Sequence, residues 1–202
     1  MPNQIIYVLT NQAMPGYVKI GKTTTSLEQR ITELSRSTSI PFPFDCHFAC
    51  IVRDAHTAEQ LLHHAFGDNR ANPRREFFRI DPERIVSALK FWMIEEITIR
   101  RDIVESNEDQ IALDQARERL SKFNFEMVKI PIGAELTFSR DSTKKSIVID
   151  NNHIEFEWEQ TSLSVSAQKL LWYARIPQWT LYWMYEGETL TERRKRFEES
   201  EV

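Results

Sequence analysis

The sequence predicts a mixed α+β protein. Short apolar runs that alternate with polar positions, typical of half-buried strands, occur in both halves of the chain. Between them lie segments with apolar residues at helical spacing. The 202 residues are enough for one or two domains with their own cores. A hydrophobic fraction of 41% and a charged fraction of 28% are typical of a soluble globular protein.

The first half of the chain alternates between the two kinds of pattern. Gly16 and Gly21 bracket a short apolar strand, while Ser26 and Thr57 each begin a capping box at the start of a helix. Pro82 lies in the first turn of a further helix, where proline is tolerated. The expected elements are strands at 4–10 and 17–21, a helix at 26–36, a strand at 44–53, a helix at 57–67, a strand at 76–80 and a helix at 82–98.

The second half begins with a charged, weakly amphipathic helical stretch at about 107–122, interpreted as part of a connector. Strand-like runs follow at 134–138, 146–150 and 153–158, then a helix from 162 to 171 and a charged, partly helical tail. The predicted organisation is a domain at 1–98, a helical connector at 99–125, a domain at 126–188 and a charged tail at 189–202.

The charge and the apolar runs exclude some classes of protein. No apolar run approaches the roughly 20 residues that cross a bilayer, and the N-terminus carries no secretory signal, so we expect a cytoplasmic protein without a membrane partner. The net charge is −4, with 14 Lys/Arg against 19 Asp/Glu after residue 100. Such a chain does not coat nucleic acid unspecifically, although a local basic groove remains compatible with it.

Two cysteines lie four residues apart in the strand expected at 44–53. That spacing corresponds to about 13 Å in a strand, which is too far for a disulfide. Cys46 and Cys50 are expected to share one strand face with Phe44, Phe48 and Val52, as small buried residues rather than zinc ligands.

Three side chains of different chemistry are predicted to converge in the first thirty residues. Tyr7 lies on the first strand, Lys19 on the next, and Arg30 on the edge of the apolar stripe of the following helix. A phenol, an ammonium and a guanidinium on one face suit a phosphodiester. Tyr7 would be the base, with Lys19 lowering its pKa from about 10, and Arg30 would stabilise phosphoryl charge. The alternatives are an ordinary strand aromatic and a surface arginine.

Glu59 and His63 are four residues apart on one predicted helix, so both reach the same small volume. The glutamate is a candidate metal ligand, and the histidine could move a proton or bind a phosphate. The alternatives are a solvated acid and a structural histidine. Further candidates for contact with DNA are a tyrosine, a lysine and three loop arginines, for which the alternative is a solvated surface: Tyr17, Lys22, Arg70, Arg74 and Arg75.

The order and spacing of Ile5-Ile6-Tyr7, Lys19-Ile20-Gly21, Arg30 and Glu59 resemble the GIY-YIG nuclease superfamily over about residues 3–82. Ile5-Ile6 stands where that superfamily has Gly-Ile, and Lys19 where it commonly has a second tyrosine. The resemblance implies a small three-stranded antiparallel sheet flanked by helices. It also implies a single divalent metal, Mg²⁺ or Mn²⁺, held by Glu59.

Residues of about 130–185 resemble a RAMA-type domain, a small α+β module that accompanies DNA restriction and modification proteins. The resemblance rests on Ile132-Gly133, on the run Ser146 to Asp150 and on Thr161-Ser162-Leu163-Ser164. Ser162 and Ser164, at a helix start, could bind phosphate, and Trp158 and Trp179 could stack on bases. The alternatives are a helix cap and tryptophans that form the core.

Together these features lead us to expect a metal-dependent DNA endonuclease in restriction, anti-phage defence or a mobile element. Its substrate would be duplex or single-stranded DNA, and the second domain would select it. A double-strand break requires two catalytic centres, which favours a homodimer. The alternatives are a DNA-binding or regulatory module that does not cut, and an RNA nuclease.

Overall fold

The computed structural model describes residues 4–36, 40–121, 123–171 and 179–200. The chain forms two compact units, Met1–Glu118 and Arg119–Val202. Within the described ranges there are two antiparallel sheets and six α-helices, which confirms the predicted α+β class. None of the helices in these ranges is both long and apolar enough to cross a membrane.

The first unit is built on one antiparallel sheet. Its elements, up to a helix that crosses the unit boundary, are β1 (Ile5–Thr10), β2 (Tyr17–Thr23), α1 (Leu27–Ser35), β3 (Asp45–Ile51), α2 (Ala55–Ala65), β4 (Phe77–Arg79), α3 (Pro82–Leu89), β5 (Glu95–Glu96) and α4 (Asn107–Ser121). The strand order is β4-β2-β1-β3-β5. The expected three-stranded sheet is therefore its centre, which short strands extend on both sides.

The central strand β1 is buried on both faces, and its near-continuous apolar run reflects this position. Ile6 and Val8 pack into a core that also contains Leu62 of α2 and residues of α3. The alternate residues, including Tyr7, pack on the opposite face with Ile31 of α1. The sheet thus has α1 on one face and α2 and α3 on the other.

A bulge in β3 reverses which face its residues occupy. Val8 pairs with Phe48, but its neighbour Leu9 pairs with Cys46, so His47 is an extra residue. Cys50 therefore packs on the α2 and α3 side, whereas Cys46 packs on the α1 side. The expectation of one shared face is wrong. Both cysteines are free, and burial raises the pKa of each thiol to about 11.

Two helix ends differ from the sequence expectation. Asp54, rather than Thr57, caps α2: its carboxylate accepts from the Thr57 backbone N–H at 3.0 Å. Helix α3 ends at Leu89 rather than near 98, because the following chain turns back to the sheet. There the backbone N–H of Ile94 donates to the Ile51 carbonyl, and β5 pairs with β3. The predicted cap of α1 at Ser26 is confirmed.

The second unit contains the other sheet and two further helices. Its elements are β6 (Glu135–Phe138), β7 (Asp141–Val148), β8 (Ile154–Phe156), β9 (Glu159–Thr161), α5 (Leu163–Leu171), β10 (Trp183–Tyr185), β11 (Glu188–Thr189) and α6 (Leu190–Ser200). The strand order is β11-β10-β6-β7-β8-β9.

Trp183 is the largest side chain at the centre of this unit. It is fully buried, packs edge-on against the Phe138 and Phe156 rings, and donates from Nε1 to the Leu163 carbonyl at 3.3 Å. The tail at 189–202, expected to be charged and partly helical, forms helix α6 over Leu190–Ser200, and its Leu190 is buried with the same core. The tail is therefore part of this unit.

Candidate functional site

The Tyr7 ring lies across Gly21 of the neighbouring strand. The two residues are register partners in the β1–β2 pair. A Cβ at position 21 would lie 2.5 Å from the Tyr7 hydroxyl oxygen, so the ring occupies the space above this glycine. Glycine is required here by the close approach of the ring rather than by an unusual backbone conformation. The phenol thereby reaches across β2 towards its outer edge, and Tyr7 as a whole is only 1% exposed.

Arg30 of α1 is the cation in contact with Tyr7. Its Nε donates to the Tyr7 hydroxyl oxygen at 3.3 Å. Burial raises the pKa of Tyr7, and the negative charges of Glu76 and Glu59 raise it further. The hydrogen bond and the positive charge of Arg30 lower the same pKa. The net effect raises the pKa of Tyr7 from its ordinary value. Arg30, rather than the expected Lys19, is the cation that contacts the phenol.

Lys19 is engaged instead by a carboxylate that the sequence analysis did not select. Lys19 is 7% exposed, and its Nζ lies 2.5 Å from Oε2 of Glu76 and 5.5 Å from the centre of the Phe77 ring. Burial alone would raise the pKa of Glu76, but Lys19, with His63 and Arg30, outweighs burial and lowers it. The sequence feature that could have identified Glu76 is its position directly before β4, because β4 pairs with the part of β2 that contains Lys19.

Glu59 approaches the same strand from α2. It is 8% exposed, so the alternative of a solvated surface acid is wrong. The ammonium of Lys22 on β2 donates to its Oε2, which leaves the carboxylate neutralised by a partly exposed lysine. Tyr7 and Glu59 come from opposite faces of the sheet, and the charge of Glu59 adds to the raising of the Tyr7 pKa that burial causes.

His63 has the contacts of a structural residue. Its Nε2 lies 3.2 Å from the Ile20 carbonyl oxygen, and its ring packs 5.1 Å from the centre of the Phe78 ring. The sequence placed it beside Glu59 as a candidate for proton transfer. In the structure its hydrogen bond goes to the backbone of β2, which favours the structural alternative.

The basic loop before β4 divides into a structural part and an exposed part. Arg70 donates from Nε to the Arg75 carbonyl at 2.7 Å and lies over the Phe78 ring, so it holds the loop together. The side chains of Arg74 and Arg75 are exposed. Tyr17, at the start of β2, is half-buried opposite Arg79 of β4. Of the three loop arginines, only Arg74 and Arg75 have exposed side chains.

The candidate residues of the second unit serve mainly its own fold. The Ser162 hydroxyl accepts from the Val165 backbone N–H at 3.3 Å and lies 2.9 Å from the Ser164 hydroxyl, so Ser162 caps α5. Trp179 packs edge-on against Phe123 at 5.3 Å between ring centres. Both observations favour the structural alternatives. Trp158 differs, because it is 94% exposed.

Six side chains of the first unit form three contacting pairs around β2: Tyr7 with Arg30, Lys19 with Glu76, and Lys22 with Glu59. We call these three pairs the β2-edge site. It carries three cations, two carboxylates and a phenol, and its Arg30 also lies 3.6 Å from a third carboxylate, that of Glu33. Among the residues that the structure describes, no three His, Cys, Asp or Glu side chains gather into a metal-binding cluster. A hard cation that keeps most of its waters needs only one or two carboxylates, and Glu59 meets that requirement once Lys22 is displaced.

Comparison with known families gives a match to the T5orf172 domain over residues 4–93, which includes the whole β2-edge site. This domain is associated with phage-related proteins that bind DNA or resemble nucleases, so the match indicates an action on DNA. Searches of curated proteins and of solved structures found no significant match.

The match corrects the resemblance drawn from the short motifs. Residues 4–93 are similar to the T5orf172 domain, a family distinct from the GIY-YIG superfamily. The motifs around Tyr7 and Gly21 are short segments of two paired strands, and segments this short do not discriminate between families. The match ends before residue 130 and gives no support to the RAMA resemblance of the second unit.

Proposed function

We propose that the first unit hydrolyses phosphodiester bonds of DNA at the β2-edge site, assisted by a divalent cation. The observation that carries the proposal is the burial of Tyr7, Lys19 and Glu59 at one strand edge, each less than a tenth exposed. Buried charges are costly to a fold even when they are paired, and clusters of them concentrate at functional sites. The T5orf172 match over the same residues supports DNA as the substrate.

Arg30 is the group that would meet the phosphate. Its guanidinium is partly exposed, whereas the Tyr7 hydroxyl beneath it is buried. A phosphate oxygen competes well for a guanidinium because the pair forms charge-assisted hydrogen bonds. Binding would therefore draw Arg30 towards the substrate and open the Tyr7 hydroxyl to it.

Two groups of the site could accept the proton of the attacking water. Glu76 is ionised at neutral pH because its pKa is lowered, and its carboxylate is partly exposed. Tyr7 has a raised pKa and would act as a base only if the bound substrate or cation lowered that pKa. In the free protein it offers a neutral hydroxyl that can orient a phosphate oxygen or a water.

Glu59 is the residue that would hold Mg²⁺ or Mn²⁺. Such a cation stabilises negative charge on phosphoryl oxygens and lowers the pKa of bound water. Lys22 now occupies the Glu59 carboxylate, so lysine and cation compete for one ligand. Lys22→Ala would therefore increase the affinity for Mn²⁺, which isothermal titration calorimetry measures independently of any cleavage.

The test is nicking of supercoiled plasmid in Mg²⁺, in Mn²⁺ and in EDTA. Glu59→Gln and Arg30→Gln should each lower the rate at least about 100-fold, as loss of a transition-state contact does, while Glu95→Gln on exposed β5 serves as the matched control. Cleavage that survives Glu59→Gln would contradict the assignment of the metal ligand. Comparison of the pH–rate profiles of Tyr7→Phe and Glu76→Gln identifies the base. A general base acts only when it is deprotonated, so its removal abolishes the rise in rate with pH on the acidic limb of the profile.

A DNA-binding module that does not cut is the second candidate. It is favoured by the closed state of the site, in which Lys22 neutralises Glu59 and Arg30 covers Tyr7. Retained binding without cleavage under all metal conditions would establish this function. Parallel assays on RNA of the same sequence distinguish a ribonuclease from an enzyme that acts on DNA. Linear plasmid product at low enzyme concentration would indicate that two subunits act together as a homodimer.

A further inference from the structure

The tip of the β8–β9 hairpin has a conformation that its residues do not favour. Phe156 pairs with Glu159, which leaves Glu157 and Trp158 as a two-residue turn. Both have positive φ, 53° and 67°. Two-residue turns with positive φ at both positions usually contain Asn-Gly, Asp-Gly or Gly-Gly, because positive φ strains the backbone of most residues that carry a Cβ. A bulky tryptophan is among the least suitable residues for the second position.

Two lysines fix this turn from neighbouring elements. Glu157 accepts from Lys144 of β7 at 3.2 Å and from Lys169 of α5 at 3.1 Å. Lys169 also lies 3.7 Å from the Glu159 carboxylate. The hydrogen bonds of Lys169 and Lys144 lower the pKa of the Glu157 carboxyl, so the pairing persists at neutral pH. The turn is thereby held in one orientation despite its strain.

The Trp158 ring does not stabilise the fold by burial. It is 94% exposed, the largest exposed fraction among the large hydrophobic residues that the structure describes. A tryptophan normally contributes by burying its ring, as Trp183 does in the same unit. Position 158 thus combines an unfavourable backbone with an unfavourable exposure, and such local conflicts in natural sequences concentrate at functional sites.

We propose that Trp158 is a stacking platform for an unpaired nucleobase. Base stacking needs one free aromatic face, and the turn presents it. A protein interface would need a surrounding apolar surface to exclude water from the ring, whereas the adjacent Glu157 and Glu159 are charged and exposed. The inference rests on the proposed action on DNA for the class of ligand only.

The test is binding of fluorescently labelled single-stranded and duplex oligonucleotides to the full chain, measured by anisotropy in EDTA so that cleavage plays no part. Trp158→Gly should weaken single-strand binding by about fivefold or more, the effect of losing one stacked base. Trp158→Phe should retain most of the affinity. Phe91→Ala, which removes an 86% exposed ring from the first unit, is the matched control and should change nothing.

A second readout separates binding from a structural role. Because glycine suits the positive φ at this position, Trp158→Gly should raise the melting temperature while it lowers affinity. A fall in melting temperature with the loss of binding would show that Trp158 supports the fold, and would overturn the inference.

Unchanged single-strand affinity in Trp158→Gly, or no binding by the wild-type chain, would also overturn it. Neither result bears on plasmid nicking by the β2-edge site. Conversely, Trp158-dependent binding by a protein that never nicks DNA would leave the inference standing and refute the proposed hydrolysis.

Discussion

Gly21 is the residue on which the position of the Tyr7 ring depends. The ring fills the volume that a side chain at position 21 would occupy, with the would-be Cβ 2.5 Å from the hydroxyl oxygen and 2.6 Å from the ring carbon that bears it. The reach of the phenol towards the edge of β2 thus depends on the absence of one methyl group. Glycine at this position acts on the site through packing and contributes no chemistry of its own.

Gly21→Ala should therefore destabilise the protein by about 1–3 kcal/mol, the usual cost of forcing an extra methyl group into a packed core. In a Tyr7→Ala background the same substitution should cost much less, because the ring that it meets is gone. Urea denaturation of the four variants measures this coupling. Costs that simply add would show that the ring does not lie over Gly21.

Glu76 should make the stability of the protein depend on pH in the acid range. Lys19 is the main source of the lowering of its pKa in the folded state from the unfolded value of 4.5. The pair therefore contributes stability above about pH 4.5, and this contribution is lost as pH falls through the folded pKa. Glu76→Gln should be less stable than wild type at pH 7 and should lose less stability between pH 5 and 3.

Urea denaturation at several pH values tests this, with exposed Glu95→Gln as the control. Because the Glu76 side chain is 41% exposed, solvent screening keeps the effect modest. Parallel pH dependence in wild type and Glu76→Gln would contradict the assigned role of the Lys19 pair.

At the level of elements, the start of α2 determines which of its residues face β2. Asp54 accepts from both the backbone N–H and the hydroxyl of Thr57, at 3.0 and 2.6 Å. Asp54→Ala should cost about 1 kcal/mol of stability, as loss of an N-cap does, while Asp54→Asn should retain most of it. Thermal unfolding of the two variants measures the difference. Equal stability of the alanine and asparagine variants would show that the cap does not support α2.

Local patterns predicted the elements but not the features that need partners distant in sequence. Alternation and helical spacing placed β1, β2 and α1 to within about two residues of their observed bounds. The bulge at His47 was not predictable, because one extra residue leaves the strand propensity unchanged while it reverses the faces on either side. The end of α3 was missed because the chain after it pairs with β3, and this tertiary pairing outweighed the local helical pattern.

The candidate site was likewise predictable only where it depends on residues close together in sequence. The approach of Arg30 to Tyr7 followed from spacing along two neighbouring elements. The partner of Lys19 did not, because Glu76 lies 57 residues away and is brought close only by the register of β2 with β4. The raised pKa of Tyr7 was missed for a related reason. Burial sets the direction of its pKa, and burial is a property of the assembled sheet.

On the scale of the whole molecule, each unit has a core of its own. The buried clusters on the two faces of the first sheet contain only residues before 119, and the cluster around Trp183 contains only residues after it. Because each of these clusters is drawn from one unit alone, we expect the two units to unfold with a large degree of independence. A core substitution should then act on one unit alone.

Leu136→Ala and Ile31→Ala provide the comparison, because both residues are fully buried but lie in different units. Each should destabilise its own unit by about 2–5 kcal/mol. Amide hydrogen exchange followed by mass spectrometry should show faster exchange in peptides of 123–171 and 179–200 for Leu136→Ala, and in peptides of 4–118 for Ile31→Ala. Faster exchange across both units in either variant would mean that the chain unfolds as one cooperative body. In that case the β2-edge site and the Trp158 turn would depend on the same folding equilibrium, and substitutions at one would change the ligand binding of the other.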